Sequence, residues 1–536
     1  MKKRLLSMIL AISMVLTFLP VSAISAFAAD ESSAQPMSGN CGYYSGIPNV
    51  SNDTVKYTLI QNNTDNDNPT YILKIEGSGA MASYSSAENV PWNSYRTSIT
   101  EVEIGENVES ICDYAFQNCA LTSIHIPDSV EYMGYSVFAD CSSLNSVTGM
   151  ASVKNINFST FKKCVSLTTI SIPNGVTRIW DDAFSGCTSL TSINIPDGVT
   201  NVGSNAFSGS GLTSIHIPDS VKYMDHSVFA GCSSLSSVTG MASVTNISAA
   251  AFKNCVRLTA INIPNGVAQI YDDAFSGCTS LTSIHIPDTV TEIGDNAFKE
   301  CINLKTVTGM NGVEQIGRFY GSTFYGCKAL TSIHIPDSVV TIKPETFAYS
   351  GLTSVTGMKN VTSIANAMFY ECTALKSVPE MEKLITIEGN AFYDCKQLTK
   401  VTIPDSVTTI EYGAFDGCQN LLSAIIPANL TRIDNGVFSG CSSLTSVTIP
   451  DNITTIARFA FSDCTNLTEV ILPKKVPSIL DDVFERDYNL KIYYPYSKEE
   501  WEKQPNVTNK KISGLASDGV TLAYTHTSVP ICYLCD

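Results

Sequence analysis

A unit of about 23 residues, restated from Ile99 to roughly Tyr494, constrains this chain more than any other feature. One copy, Leu212 to Cys232, reads LTSIHIPDSVKYMDHSVFAGC. Its pattern is L-x-x-I-x-I-P-x-x-V-x-x-I/M, four residues, then F-x-x-C. After the first copy at Ile99, the leading Leu recurs from Leu121 to Leu467 at spacings of 22, 23 or, once, 26 residues, giving 17 full copies. Self-similarity at a period in the twenties specifies a solenoid of stacked coils. Chance does not hold such a register along most of a chain.

Each unit can be read physically. In L-T-S-I-H-I-P the apolar residues alternate with polar ones, the period of a strand. Proline then withholds a donor and ends it. V-x-x-I is short and apolar enough for a second extended run. A-F-x-x-C supplies a bulky anchor and a small partner in a turn, expected as one turn of helix or 3-10. A single unit cannot bury its own apolar side, whereas stacked units share a core. The fold expected is therefore a repeat solenoid of about 17 coils, mainly short parallel β-strands with turns and short helical or 3-10 segments. At a strand spacing of ~4.8 Å the array is roughly 80 Å long.

Fourteen of the 18 cysteines lie three residues after the repeat Phe, from Cys119 to Cys464. Ser210, Ser350 and Asp487 take that slot without breaking the period, which an obligatory disulfide partner would not permit. Free Cys packs as a small hydrophobe, so a buried column of thiols is expected, with bonds between neighbouring rungs the alternative. Cys41, Cys112, Cys532 and Cys535 lie outside the column. The Cys532-x-x-Cys535 pair has no second pair or nearby His, which favours a terminal disulfide or a loose tail over zinc. Residues 121–211 and 212–302 align nearly throughout, a duplicated block of four coils. In the units beginning at Leu144, Leu235, Leu304 and Leu352, Ile-Pro becomes Gly-Met, and Met150, Met241, Met310 and Met358 are expected to fill the inward gap. The 26-residue unit carries three extra residues near Arg318-Phe319-Tyr320. Such insertions emerge on one face; this one is either a tolerated bulge or a contact site.

The ends do not repeat. Lys2, Lys3 and Arg4, an apolar run from Leu5 to Leu19, and Ala26-Phe27-Ala28 fit a cleaved signal peptide at 1–28. No later stretch is long and apolar enough to span a membrane. Residues 29–98 read as a disordered start, over 29–39, followed by a β-rich cap covering the open first coil. The cap has strands at Val55–Ile60 and Tyr71–Ile75, and Trp92 in its core. The solenoid occupies 99–489. Residues 490–536 form a closing segment, with a short helix near Ser497–Trp501, and a tail.

The formal charge of −17 becomes −20 without Lys2, Lys3 and Arg4. An acidic chain lacking a basic cluster argues against nucleic acid and anionic membranes as partners. No nucleophile elbow, HExxH or phosphate loop occurs, so no catalytic residue, metal or cofactor is expected. Asp181-Asp182, Asp272-Asp273 and Asp481-Asp482 recur at one repeat slot and read as turn residues in preference to a Ca²⁺ site. His125, His216, His285 and His334 occupy the fifth repeat position, pointing outward. At one strand spacing per coil they stand roughly 10–20 Å apart, too far for a shared metal. With Asn194, Asn262 and the interleaved Ser and Thr they make a long, uncharged, hydrogen-bonding strand face. That face is the expected binding surface, with Arg318, Phe319 and Tyr320 as a second candidate.

The repeat L-T-S-I-x-I-P-D-x-V-T-x-I-x-x-x-A-F-x-x-C resembles the BspA-like, Treponema-type class of leucine-rich repeats. Asn40-Cys41-Gly42, Ile75 to Met81 and Pro91-Trp92 resemble the cap preceding such arrays. Tyr493-Tyr494 and Glu499-Glu500-Trp501 resemble the closing element. The resemblance implies an exported bacterial surface protein, with some members acting as adhesins on host or neighbouring-cell proteins. Together with the strand face, it leads to the expectation of a secreted or cell-surface protein whose partner is an extracellular protein or a glycan. It transfers no catalytic residues.

Overall fold

A computed structural model describes residues 37–42, 53–65, 67–424, 426–494, 500 and 503–505, with short strands at 507–508, 511–512, 521–526 and 529–533. The signal peptide, the Ser497–Trp501 helix apart from residue 500, and Cys535 lie outside the described residues. The cap contains β1 (Met37–Asn40), β2 (Lys56–Gln61), β3 (Tyr71–Glu76) and β4 (Gly79–Ala80). It feeds into the first coil, whose strands are β5 (Ile99–Ile104) and β6 (Val108–Ile111). β1, β2 and β3 pair antiparallel and β3 then pairs parallel with β5, so the cap sheet runs on into the solenoid. Met37–Asn40 is thus a paired strand although Met37 to Gly39 fall inside the stretch expected to be disordered. Arg96 clamps the junction, donating to the carbonyls of Gln117, Ala87 and Tyr114 at 2.6, 3.0 and 2.7 Å.

Each coil has three sides. The first is the L-x-x-I-x-I strand, as in β7 (Ser123–Ile126) paired parallel with β9 (Ser146–Gly149). The second is V-x-x-I, as in β8 (Tyr132–Met133) and β10 (Asn155–Ile156), each in line with its counterparts in neighbouring coils. The third is A-F-x-x-C, and here the expected turn of helix or 3-10 is absent. Tyr114, Phe116 and Asn118 donate their N–H groups to Tyr135, Val137 and Ala139 of the next coil at 2.7–2.9 Å, while Gln117 and Cys119 bond back three residues. Left-handed φ angles at Tyr114 and Asn118, 59° and 58°, turn alternate amides outward. A helix would keep every donor within its own coil and leave stacked coils unjoined on this side. Sharing the donors offsets a backbone cost of order 1 kcal/mol at each left-handed residue. Among the described residues 3-10 helix occurs in the cap, at Ala87–Asn89 and Asn93–Ser98.

The core is a set of columns running the length of the stack. The repeat phenylalanines from Phe116 to Phe484 form one continuous pile, with centroids 5.2–5.8 Å apart. From Phe138 onward every step is within 14° of parallel. Trp92 of the cap heads the pile, 6.4 Å from Phe116 and fully buried, with its indole N–H donating to Ala115 O at 2.7 Å. The four methionines of the Gly-Met units fill the inward gap as expected, all buried. Gly149 is needed beside Met150: its φ is +81°, and a Cβ there would fall 1.8 Å from Ile126 O. Met150, unlike the proline it replaces, donates its N–H to that same carbonyl at 3.0 Å.

The tail, read from sequence as loose or disulfide-closed, contributes strands. Thr521–His526 pairs parallel with Lys491–Tyr494, and Val529–Tyr533, which contains Cys532, pairs antiparallel with Thr521–His526. The last coil leaves a row of unpaired backbone groups, which this hairpin takes up.

Candidate functional site

The cysteine column is structural. Thirteen of its thiols donate to the Phe carbonyl of the preceding coil, from Cys141 to Phe116 O at 3.0 Å through Cys464 to Phe438 O at 3.1 Å. The 16 cysteines from Cys41 to Cys464 are free and buried. Burial pushes the Cys187 and Cys278 thiols up to about 12. A thiol held that high carries very little thiolate, the reactive form, at neutral pH. Iodoacetamide at pH 8 is therefore expected to leave the column unmodified in folded protein and to label it rapidly in guanidinium. Labelling of folded protein at the unfolded rate, read by mass spectrometry, would remove this account. The paired aspartates are likewise structural. Asp181 and Asp272 accept N–H bonds from Ser204 and Asp295 of the next coil, at 3.1 and 2.9 Å. Asp182 and Asp273 meet Lys162 and Lys253, each at 3.2 Å. No group of three His, Cys, Asp or Glu among the described residues is placed to hold a metal ion.

The outward strand face is brought together as one column. Parallel pairing sets His125 beside Thr148 and Ser171 beside Asn194. It likewise sets His216 beside Thr239, His285 beside Thr308, and His334 beside Thr356. His125, Asn194, His216, Asn262, His285 and His334 are all exposed. Each imidazole is held: Nδ1 lies 3.1, 3.1, 3.1 and 3.0 Å from the Thr Oγ1 of the following coil. The reason lies in the Gly-Met units. A Cβ on Gly149, Gly240, Gly309 or Gly357 would stand 3.0–3.3 Å from Cε1 of the preceding histidine, so the ring lies across the space left by the missing side chain. The signal is present in the sequence, because each S-I-H-I-P unit is followed by a V-T-G-M unit. Beside the last of these, Asn311, Pro336, Asp337, Gly357 and Lys359 line a shallow notch next to His334. There Lys359 Nζ meets Asp337 at 3.1 Å.

The insertion is an ordered loop. Asp295, 3% exposed, accepts backbone N–H bonds from Arg318, Phe319, Tyr320 and Gly321, at 2.6, 2.9, 2.9 and 2.6 Å. Burial raises the Asp295 carboxyl, but the four amides outweigh it and hold the group below its ordinary value. Gly321 has a φ of +86°, and a Cβ there would meet Pro344 O at 2.0 Å. The loop thereby fixes Phe319 and Tyr320 at 66% and 81% exposure. Arg318 is spent within the fold, 3.4 Å from Glu292 and over the rings of Tyr271 and Phe319.

This geometry defines a repeat scaffold: a parallel β-solenoid that presents ordered surface columns. The chain belongs to the BspA type leucine-rich repeat region family, whose profile matches residues 93–212, 154–282, 203–321, 268–399, 318–422 and 368–491. Among solved structures it is similar to a leucine-rich repeat protein from Bacteroides ovatus, 23% identical, over 87% of this chain and 98% of that one, with a TM-score of 0.48. It is also similar to a leucine-rich repeat protein from Eubacterium ventriosum, 26% identical over 72% and 92% of the two chains, TM-score 0.38. A third is a leucine rich cell surface protein from Faecalibacterium prausnitzii, 25% identical over 88% and 98%, TM-score 0.29. No curated protein matches the chain at a significant level.

Proposed function

We propose that this is an exported bacterial binding scaffold, non-enzymatic, that holds an extracellular protein partner at or outside the cell surface through its outward strand face. The observation that carries the reading is the column from His125 to Thr356, polar, uncharged and exposed across eleven successive coils. Its four imidazoles are each held in place by a threonine and a glycine of the next coil. Side chains held before binding lose little entropy on it, and a long flat array of donors and acceptors suits an extended partner. The basic, apolar N-terminus supports export. No helix among the described residues is long and apolar enough to cross a membrane.

The test is capture of host and bacterial extracellular proteins, run beside a glycan array, with wild type and a variant carrying His216→Glu, Asn262→Glu and His285→Glu. Protein capture weakened about tenfold or more by the three charges supports the proposal. Unchanged capture by the variant sinks the strand face. Glycan binding alone, or retention on cell-wall material with neither, transfers the role to glycan recognition or to the envelope's structure.

A further inference from the structure

The turn side of the solenoid carries a feature that the strand face does not explain. In coils up to Phe275 the two residues after the repeat Phe are small, amide-bearing, basic or an isolated Asp, as in Lys162-Lys163, Ser208-Gly209 and Lys253-Asn254. Over the next coils they become Tyr325, Tyr349, Tyr370 and Tyr393, accompanied by Glu300, Glu371, Asp394 and Asp416. Successive rings stand 5.1, 5.5 and 4.7 Å apart, so the four phenols form a ladder across four coils.

We propose that this ladder is a second binding surface, which takes a lysine- or arginine-bearing segment of a protein partner. Three observations carry it. The first two steps are tilted by 55° and 53°, and open a cleft lined by Tyr325, Glu345, Tyr349, Asn366, Tyr370 and Asn390. The third step is closed, with Tyr370 and Tyr393 parallel within 6°. That pair spends its inner faces on each other and offers rims and hydroxyls, a poor platform for a sugar ring. The ladder also already holds a cation of its own chain: Lys299 Nζ lies 4.8 Å from the centre of the Tyr325 ring. An ammonium or guanidinium over an aromatic face is attracted by the ring quadrupole. The surrounding carboxylates add charge complementarity, and of the set named only Asp394 has a salt-bridge partner among the described residues, Lys396 at 3.5 Å. Burial, and then Glu371, pushes the Tyr349 phenol up to about 12, so the ring stays neutral. This surface is independent of the strand-face reading, being built from different residues on a different side of each coil.

The experiment is fluorescence anisotropy of a labelled oligolysine peptide, using the full chain. Because the whole protein is acidic, bulk charge must be separated from the site. Glu345→Gln with Glu371→Gln is therefore compared with Asp128→Asn and Asp219→Asn, an equal charge change at exposed strand corners. Tyr349→Leu with Tyr370→Leu removes the aromatic faces while keeping apolar volume. The proposal requires about tenfold weaker binding for both ladder variants and little change for the corner variant. Equal weakening in the two charge variants overturns it in favour of bulk attraction. Binding of a neutral oligosaccharide, lost in the Leu variant, with no site-specific peptide binding, also overturns it.

Discussion

Phe252→Ala is expected to destabilise the central coils by about 3–5 kcal/mol. The ring is fully buried and lies 5.5 Å from Phe229 and 5.4 Å from Phe275. Truncation therefore removes two stacking contacts as well as the buried area, and neighbouring rings held at fixed spacing by the inter-coil bonds cannot close the gap. In a solenoid each coil touches only its neighbours, so the weakness falls on one interface. Urea unfolding should show a lowered midpoint or a split transition, with the two halves separating near that coil. Cys255→Ala, which removes one thiol donor from the adjoining column, should cost about 1 kcal/mol. A Phe252→Ala loss no larger than that would show that the pile is not what joins the coils.

The second large effect is expected at Asp295. Replacing it with Ala deprives four backbone N–H groups of their acceptor, a loss of roughly 2–4 kcal/mol because the outer part of the loop can recover bonds to water. The visible result is local. Released from the carboxylate, Phe319 and Tyr320 become accessible to chymotrypsin as a flexible segment, and cleavage there should be fast in the variant and slow in wild type at pH 7. Wild type should itself become cleavable only in acid, where pepsin, an aspartic protease that also cuts at aromatic residues, takes the place of chymotrypsin. A carboxyl held below its ordinary value contributes stability that is complete above about pH 4 and is lost as pH falls through the lower folded value. Equal cleavage of both proteins at pH 7 would mean that the loop is held by something other than Asp295.

The strand face and its histidines were legible from position alone, because a period of two places every fifth repeat residue outward. What position could not convey was that His216 is held by Thr239 and crosses Gly240. That contact joins residues 23 and 24 positions apart, through a register that only stacking creates. The insertion illustrates the same limit. Three extra residues were plain in the spacing, but Asp295 sits at a repeat slot shared by ordinary turn residues and carries no mark of the amides around it. The local pattern predicts the Phe as an anchor within its own coil, whereas its role as one rung in a pile headed by Trp92 arises from the stacking of coils. The A-F-x-x-C pattern predicts a helical turn where the structure has none, because local pattern does not report where an amide finds its acceptor.

The sequence by itself determined the solenoid, the number of its coils, the inward and outward assignment of nearly every repeat position, and the family. It could do so because those properties follow from periodicity, which is a one-dimensional quantity. Only the tertiary structure decided which groups meet between coils: the amides shared across the turn side, the thiols on Phe carbonyls, the imidazoles over glycines, the loop around Asp295 and the tyrosine ladder. Each depends on distances of a few ångströms between residues one coil apart, set by how the chain closes each coil and not by the order of its residues.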